Sequence, residues 1–243
     1  GYRYKSHSTD WIVGSGDQFG MFSLKGDHYQ QPGVNHGFDV GLQFHFLGGP
    51  VRTDMPPRVF DFSIGYQHRD RVGVFGYDVA ASVMASSDFE GSSREGIRFP
   101  GHAVGFLPVC PTIELVFGVD YLDRGDVKLL PVAGLIAVPR PDVRLEVIFP
   151  RPRVVFQLTD RHRLYVGGEL GGGTWAIERV SLVDDLATYR DLRLCIGLQR
   201  VDRNGRSWAV EIGYLFDRRL EYTSGNGDFS PNDTAIIRLV EAF

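Results

Sequence analysis

The chain has little of what marks most enzymes and most helical membrane proteins. It carries two cysteines in 243 residues. Cys110 sits in the proline-flanked PVCP and Cys195 in the middle of LRLCIGL, and a bridge between a turn and a mid-strand site is not expected. The longest apolar run, Leu129 to Pro139, is about eleven residues with two prolines, too short and too broken for a transmembrane helix. The seven histidines lack ligand spacing: His36 and His45 fall on opposite parities, and DRHR holds only His162. No metal site is therefore expected. GxSxG is absent, and the glycine-rich GELGGG lacks the strand-to-helix setting of a phosphate loop. A net charge of −4 gives no pull toward nucleic acid. No secretory signal is visible in the polar opening GYRYKSHSTD, so an exported protein would be a mature form. Accordingly no cofactor, no metal, no catalytic residue and no nucleic-acid partner is expected.

What the chain has is glycine, 30 residues, and aromatics, 12%. That mixture suits an all-β protein with many turns and some glycines inside strands. Strict alternation confirms the period of two. Phe38, Val40, Leu42, Phe44 and Phe46 oppose Asp39, Gly41, Gln43 and His45; Phe60, Phe62, Ile64 and Tyr66 oppose Asp61, Ser63 and Gly65. The pattern recurs at 75–83 with Asp78, at 112–122 with Glu114 and Asp120, at 189–199 with Asp191 and Arg193, and at 207–217 with Glu211. Strands are also read at 17–25, around 99–107, within LLPVAGLIAV, and at the end in TAIIRLVEAF. Asn-Gly in VDRNGR marks a tight turn, and SSDFEGSSREG a long polar loop.

Two parity changes matter for strand count. In Val143–Val180, Val143, Leu145, Val147 and Phe149 oppose Arg144 and Glu146. After PRPR the apolar residues are even: Val154, Phe156 and Leu158 oppose Arg153 and Gln157. Either the chain reverses at Pro150–Arg153 or a bulge re-aims one strand. The count is 12 strands from residue 17 if it runs through, and 13 if it reverses, with segment 2–13 then needed as a fourteenth. The second change lies in GGGT, where Leu164, Val166 and Leu170 give way to Trp175 and Ile177, and is read as a bulge within one long strand.

Amphipathic strands of this kind build either a soluble sandwich or a membrane barrel with lipid on the apolar side. Aromatics near strand ends (Phe46, Tyr66, Phe75, Tyr121, Trp175, Trp208, Phe216 and Tyr222) match an interfacial girdle. Phe243 closes a strand with Leu239, Ile237 and Ala235 on its parity, although Glu241 departs from the apolar pattern. This resembles the C-terminal signal of bacterial outer-membrane proteins. The expected fold is a single closed antiparallel barrel of about 12–14 strands over residues 1–243, with 1–16 a loosely ordered first strand.

Longer segments carry a more specific resemblance. YLDRGDVKLLPVAGLIAVPRPDVRLEVIFPRPRV, YVGGELGGGTWAIERV, VEIGYLFDRRLEYTSG with NDTAIIR, SDFEGSSREGIRFPG and PPRVFDFSIGY are similar to an uncharacterised family of bacterial outer-membrane β-barrel proteins, from about Gly49 to Phe243. The resemblance implies fold and outer-membrane location, with no activity or site residues to transfer. The partners it implies are the lipid bilayer and, through the strand ending in Phe243, the barrel-assembly machinery.

In such a barrel the polar face lines the inside. The expected lining is Asp39, Gln43, Asp61, Asp78, Glu114, Asp120, Arg144, Glu146, Arg153, Gln157, Glu169, Arg193 and Glu211. These groups either form ion-pair networks that fill a narrow lumen or line a wet passage for a small solute. The expected function is a structural barrel or a passive porin-like channel. The alternatives are a barrel enzyme acting on lipid or lipopolysaccharide, and a soluble β protein with an apolar ligand. An enzyme needs a Ser–His–acid group, for which Ser63 or Ser82 with His45 and Asp61 or Asp78 are the candidates.

Overall fold

The computed structural model describes residues 5–14, 19–28, 35–49, 54–90, 93–179 and 181–242. Phe243, and with it the terminal-phenylalanine expectation, lies outside the described residues. The strands are β1 (Lys5–Ile12), β2 (Gly20–His28), β3 (His36–Gly48), β4 (Arg58–Val72), β5 (Phe75–Ser87), β6 (Ile97–Arg98), β7 (Gly101–Cys110), β8 (Ile113–Tyr121), β9 (Leu129–Arg140), β10 (Val143–Phe149), β11 (Arg153–Gln157), β12 (His162–Glu178), β13 (Asp184–Val201), β14 (Ser207–Tyr222) and β15 (Thr234–Ala242). A single turn of 3₁₀ helix, Ser93–Gly96, precedes β6.

Each wall strand pairs antiparallel with its neighbours in the chain, and β1 pairs with β15 (Ser6↔Ala242 to Ile12↔Ile236), which closes the sheet. The two-residue β6 lies on β5 above β7 (Met84↔Arg98, Ala85↔Ile97) and adds no wall position. The remaining 14 of the 15 strands form the barrel. The chain therefore reverses at Pro150–Arg153, with β10 and β11 paired from Val143↔Phe156 to Glu146↔Arg153, and Lys5–Ile12 supplies the fourteenth strand.

One rim, which carries the start of β1 and the end of β15, has two-residue turns at Gly73–Val74, Pro111–Thr112 and Pro141–Asp142. The opposite rim carries longer connections, including 49–57, 88–96, 122–128 and 223–233. We refer to these as the turn rim and the loop rim. PVCP is only partly a turn, because β7 runs through Cys110 before reversing.

The alternation sorts the side chains. Phe38, Ile64, Val83, Phe117, Val147, Leu194, Ile196, Ile212 and Leu239 are exposed on the outside, while their sequence neighbours point into the barrel. The nine-residue β8 exposes all its odd positions, Ile113 to Tyr121, about the length a tilted strand needs to cross a hydrocarbon layer. Phe46, Tyr66, Tyr121, Trp208 and Phe216 lie on this outer surface, but Trp175 and Tyr222, expected with them, are 2% and 4% exposed and lie inside.

That difference traces to β12. Its register with β13 is unbroken from His162↔Arg200 to Glu178↔Asp184, so GGGT holds no bulge against that partner. Odd residues face inward throughout: Tyr165, Glu169, Gly171, Trp175 and Ile177. What changes along the strand is the interior, which turns apolar near the loop rim. The register shift in this region lies between β13 and β14, at Arg190/Leu192, beside Asp217 with φ 47°. Gly172 is required for another reason: with φ 108°, a Cβ there would sit 2.0 Å from Tyr189 O.

Near the loop rim β12 also leaves β11, their pairing ending at Arg153↔Gly167, and meets β5 in a parallel bridge, Ala176↔Ser87. Asp88 N donates to Ala176 O (3.1 Å) and Glu178 N to Asp88 Oδ2 (2.8 Å). The barrel is thus pinched into two lobes at this rim. One comprises β1–β5 and β12–β15, five plus four strands, nine in all; the other comprises the five strands β7–β11. Thr174 to Ile177 are buried on both faces because β12 is the shared wall.

Candidate functional site

The nine-stranded lobe is filled at the loop rim. Ile12, Phe19, Met21, Val59, Trp175, Ile177, Tyr189, Leu215, Leu220 and Ile236 form one buried apolar cluster. Arg218 caps it: Nε donates to Tyr189 Oη (2.9 Å), and Nη1 and Nη2 donate to Asn232 O (2.7 Å) and Phe19 O (2.5 Å). Arg179 ties loops above it, donating to Asp54 and Asp185 (3.0 Å each) and lying 4.1 Å over the Tyr222 ring.

Below the apolar layer the same strands carry an ion network. Arg238 reaches Asp10 (3.2 Å), Glu211 (2.9 Å) and Glu169 (2.5 Å). Arg193 reaches Asp191 (2.5 Å) and Glu169 (3.2 Å), Lys25 reaches Asp10 (2.9 Å), and Tyr165 Oη donates to Glu211 (2.5 Å). Glu169, Arg193 and Glu211 were expected in the lining, and Asp191 was read on the same polar face as Arg193; Asp10, Lys25 and Arg238 were not expected, although Arg238 alternates with Ile237 and Leu239. A buried charge is tolerated only when paired in this way.

The other expected residues lie on the faces opposite the exposed apolar side chains. Asp78 accepts from Gln67 (2.8 Å) and Arg69 and lies 3.2 Å from His102 Nε2. Arg144 pairs with Glu146 (2.5 Å), Gln157 accepts from Arg163 (2.9 Å), and the Arg153 guanidinium lies 3.7 Å over the Tyr165 ring. Asp39 rests over Gly65, and Glu114 stands beside Ile136 of β9.

Ser23, His45 and Asp61 line up across β2, β3 and β4. Ser23 Oγ and His45 Nδ1 share a hydrogen bond of 2.7 Å, and His45 Nε2 and Asp61 Oδ2 one of 2.9 Å. The tautomer that carries its proton on Nε2 donates to Asp61 and accepts from Ser23 at Nδ1, giving each contact one donor and one acceptor. Trp175 Nε1 also donates to Asp61 Oδ2 (3.3 Å). The serine is neither Ser63, which sits against Gly41, nor Ser82, which is tied to Pro100 O (3.3 Å). Ser23 is 0% exposed, so its hydroxyl is enclosed rather than offered to a substrate.

The five-stranded lobe is built differently. Between it and the even face of β12 lies a cavity of about 270 Å³, near the lower end of ligand pockets. Asp120, Leu122 and Leu130 line it from β8, β9 and their connection, and Leu170, Gly172 and Thr174 from β12. Gln43 and Asp61 line it from β3 and β4, so it reaches past the bridge to the inner face of those strands. Three arginines join it: Arg98, Arg124 and Arg151. Arg124 is fully engaged, with Asp126 (2.9 Å), Gly171 O (3.0 Å) and Tyr189 O (3.4 Å). Burial presses the Arg98 guanidinium below its ordinary range, while Asp123 and Asp61 pull it back up. These arginines come from loops and the two-residue β6, where no periodicity announces an inward side chain.

No protein-family model matches the chain, and no curated protein matches it. Among solved structures it is similar to the KdgM porin, at 10% identity and a TM-score of 0.46 over 98% of this chain and 99% of that one. It is likewise similar to the NanC porin, at 9% identity and a TM-score of 0.47 over 98% of each chain. Likeness at this level transfers neither residue roles nor solute. No match supports the particular family that the sequence segments resemble. The closed 14-strand antiparallel barrel stands on the chain's own strand pairing.

Proposed function

We propose that this chain is a bacterial outer-membrane barrel that passes small polar solutes passively, by a route through the β7–β11 lobe. The observation that carries this reading is the unequal fill: apolar side chains close one lobe at the loop rim, while the other holds a cavity with three arginines and two aspartates in its wall, lined also from β3 and β4. The location follows from the outer surface. A closed barrel satisfies its backbone groups internally, as a bilayer demands, and fourteen strands of outward Phe, Leu, Ile and Val match a lipid-facing band. The segment resemblance to outer-membrane barrels supports the same reading. The partners are then the lipid bilayer and the barrel-assembly machinery, the latter through β15. Ser23–His45–Asp61 is read as a strut rather than a catalytic group, and the barrel as non-enzymatic, because Ser23 is enclosed.

Planar-bilayer recording tests the route. The folded protein gives small ohmic steps, and Leu130→Trp, which adds bulk in the cavity, shrinks them. Silence from folded protein overturns the passage, and a monodisperse monomer in detergent-free buffer overturns the membrane location.

A further inference from the structure

Two polar atoms of residues lining the cavity are buried with no hydrogen-bond partner among the described residues: Arg98 Nη2 and Ser86 Oγ. Arg98 is 9% exposed and Ser86 1%, and both line the same cavity. The pairing of β6 on β5 sets them on neighbouring strands, Arg98 opposite Met84 and Ser86 two residues further along. Gly96 permits that approach, since a Cβ there would lie 2.3 Å from Ser86 O. The guanidinium is held by its other nitrogens: Nε donates to Thr174 O (3.4 Å) and Nη1 to Asp123 O (3.3 Å). That leaves Nη2 for whatever enters the cavity.

Buried polar groups nearly always have partners, and a guanidinium N–H beside a hydroxyl is a donor pair suited to an oxyanion. The rest of the lining narrows the choice. Arg124 is already neutralised by Asp126, Arg151 lies on an exposed turn at the cavity's edge, and the carboxylates of Asp61 and Asp120 share the wall. Those carboxylates repel a dianion and accept from hydroxyl groups. We propose that this cavity binds a small hydroxylated monocarboxylate, its carboxylate on Arg98 Nη2 and Ser86 Oγ and its hydroxyl groups toward Asp61 and Asp120. Binding at this site does not depend on the passage proposed above.

The test is calorimetric titration of the full chain in lipid nanodiscs with lactate, propionate and inorganic phosphate. Lactate binds saturably at one site, propionate binds more weakly for want of its hydroxyl, and phosphate displaces lactate poorly. Arg98→Gln weakens lactate by about tenfold or more, and Ser86→Ala by several-fold, as expected for hydrogen bonds to a charged group. If Arg98→Gln does not fold, as judged by heat-dependent gel mobility, Ser86→Ala decides, since it deletes only a hydroxyl. Absence of saturable lactate binding to the wild type, meaning a cavity that holds water only, overturns the proposal. So does unchanged affinity in the folded variants, propionate binding as tightly as lactate, or phosphate displacing lactate at lower concentration. A silent bilayer leaves a positive titration standing, and a conducting channel without lactate binding removes this site alone.

Discussion

The two lobes share β12 and differ in almost everything else. The strands that enclose the filled lobe include β12, β13 and β14, of 17, 18 and 16 residues. The other lobe includes β10 and β11, of 7 and 5 residues. The long strands continue past the outward apolar band, and their extra residues toward the loop rim (Trp175, Ile177, Tyr189 and Leu220) make a core of the kind a soluble domain has. The short strands have no such residues to give, so their lobe keeps space and draws its lining from loops. In this barrel, strand length beyond the outward apolar band thus separates the packed mouth from the open one.

Variants can break this comparison, starting with the filled lobe. Arg238→Leu should be the most damaging, since it leaves Asp10, Glu169 and Glu211 around an unpaired site; loss of one partner from a buried ion pair costs about 3–5 kcal/mol. Urea unfolding from detergent or bilayer, read by gel mobility, measures it. Trp175→Ala should cost about 3–5 kcal/mol for a large-to-small core change, at the lower part of that range where the cavity collapses. It should alter bilayer conductance only modestly, through the shared strand, because the passage is placed in the other lobe; a large rise in conductance would put the passage through the filled one. Ile196→Arg, in the middle of the outer band, should cost about 2–4 kcal/mol in lipid. Leu182→Arg, on the exposed loop-rim connection, should change stability by no more than about 0.5 kcal/mol. Equal effects at Ile196 and Leu182 would mean that the outer band does not face hydrocarbon.

Much of the barrel was legible as alternation. Phe38–Phe46 and Ile113–Tyr121 show their outward residues in the sequence itself, and fourteen strands was one of the two counts the PRPR segment allowed. The reading failed where it assumed that the interior is polar along its whole height. Trp175 and Ile177 keep the parity of Glu169 and Tyr165, so the swap from charged to apolar on one face was mistaken for a bulge. Ser23 was missed because its hydroxyl matters only through His45 on the next strand, a relation set by register. Arg98 and Arg124 were missed because a residue in an irregular segment has no face until tertiary contacts assign one.

The shared strand has a mechanical meaning. At Gly172 and Thr174 β12 fronts the cavity, and at Trp175 and Ile177 the same few residues press on the apolar core. Nothing lies between these two surfaces but one backbone. A molecule lodged on the even side therefore leans on the strand that positions the indole on the odd side, and repacking the indole moves the floor under that molecule. The two rooms of this barrel cannot be furnished independently.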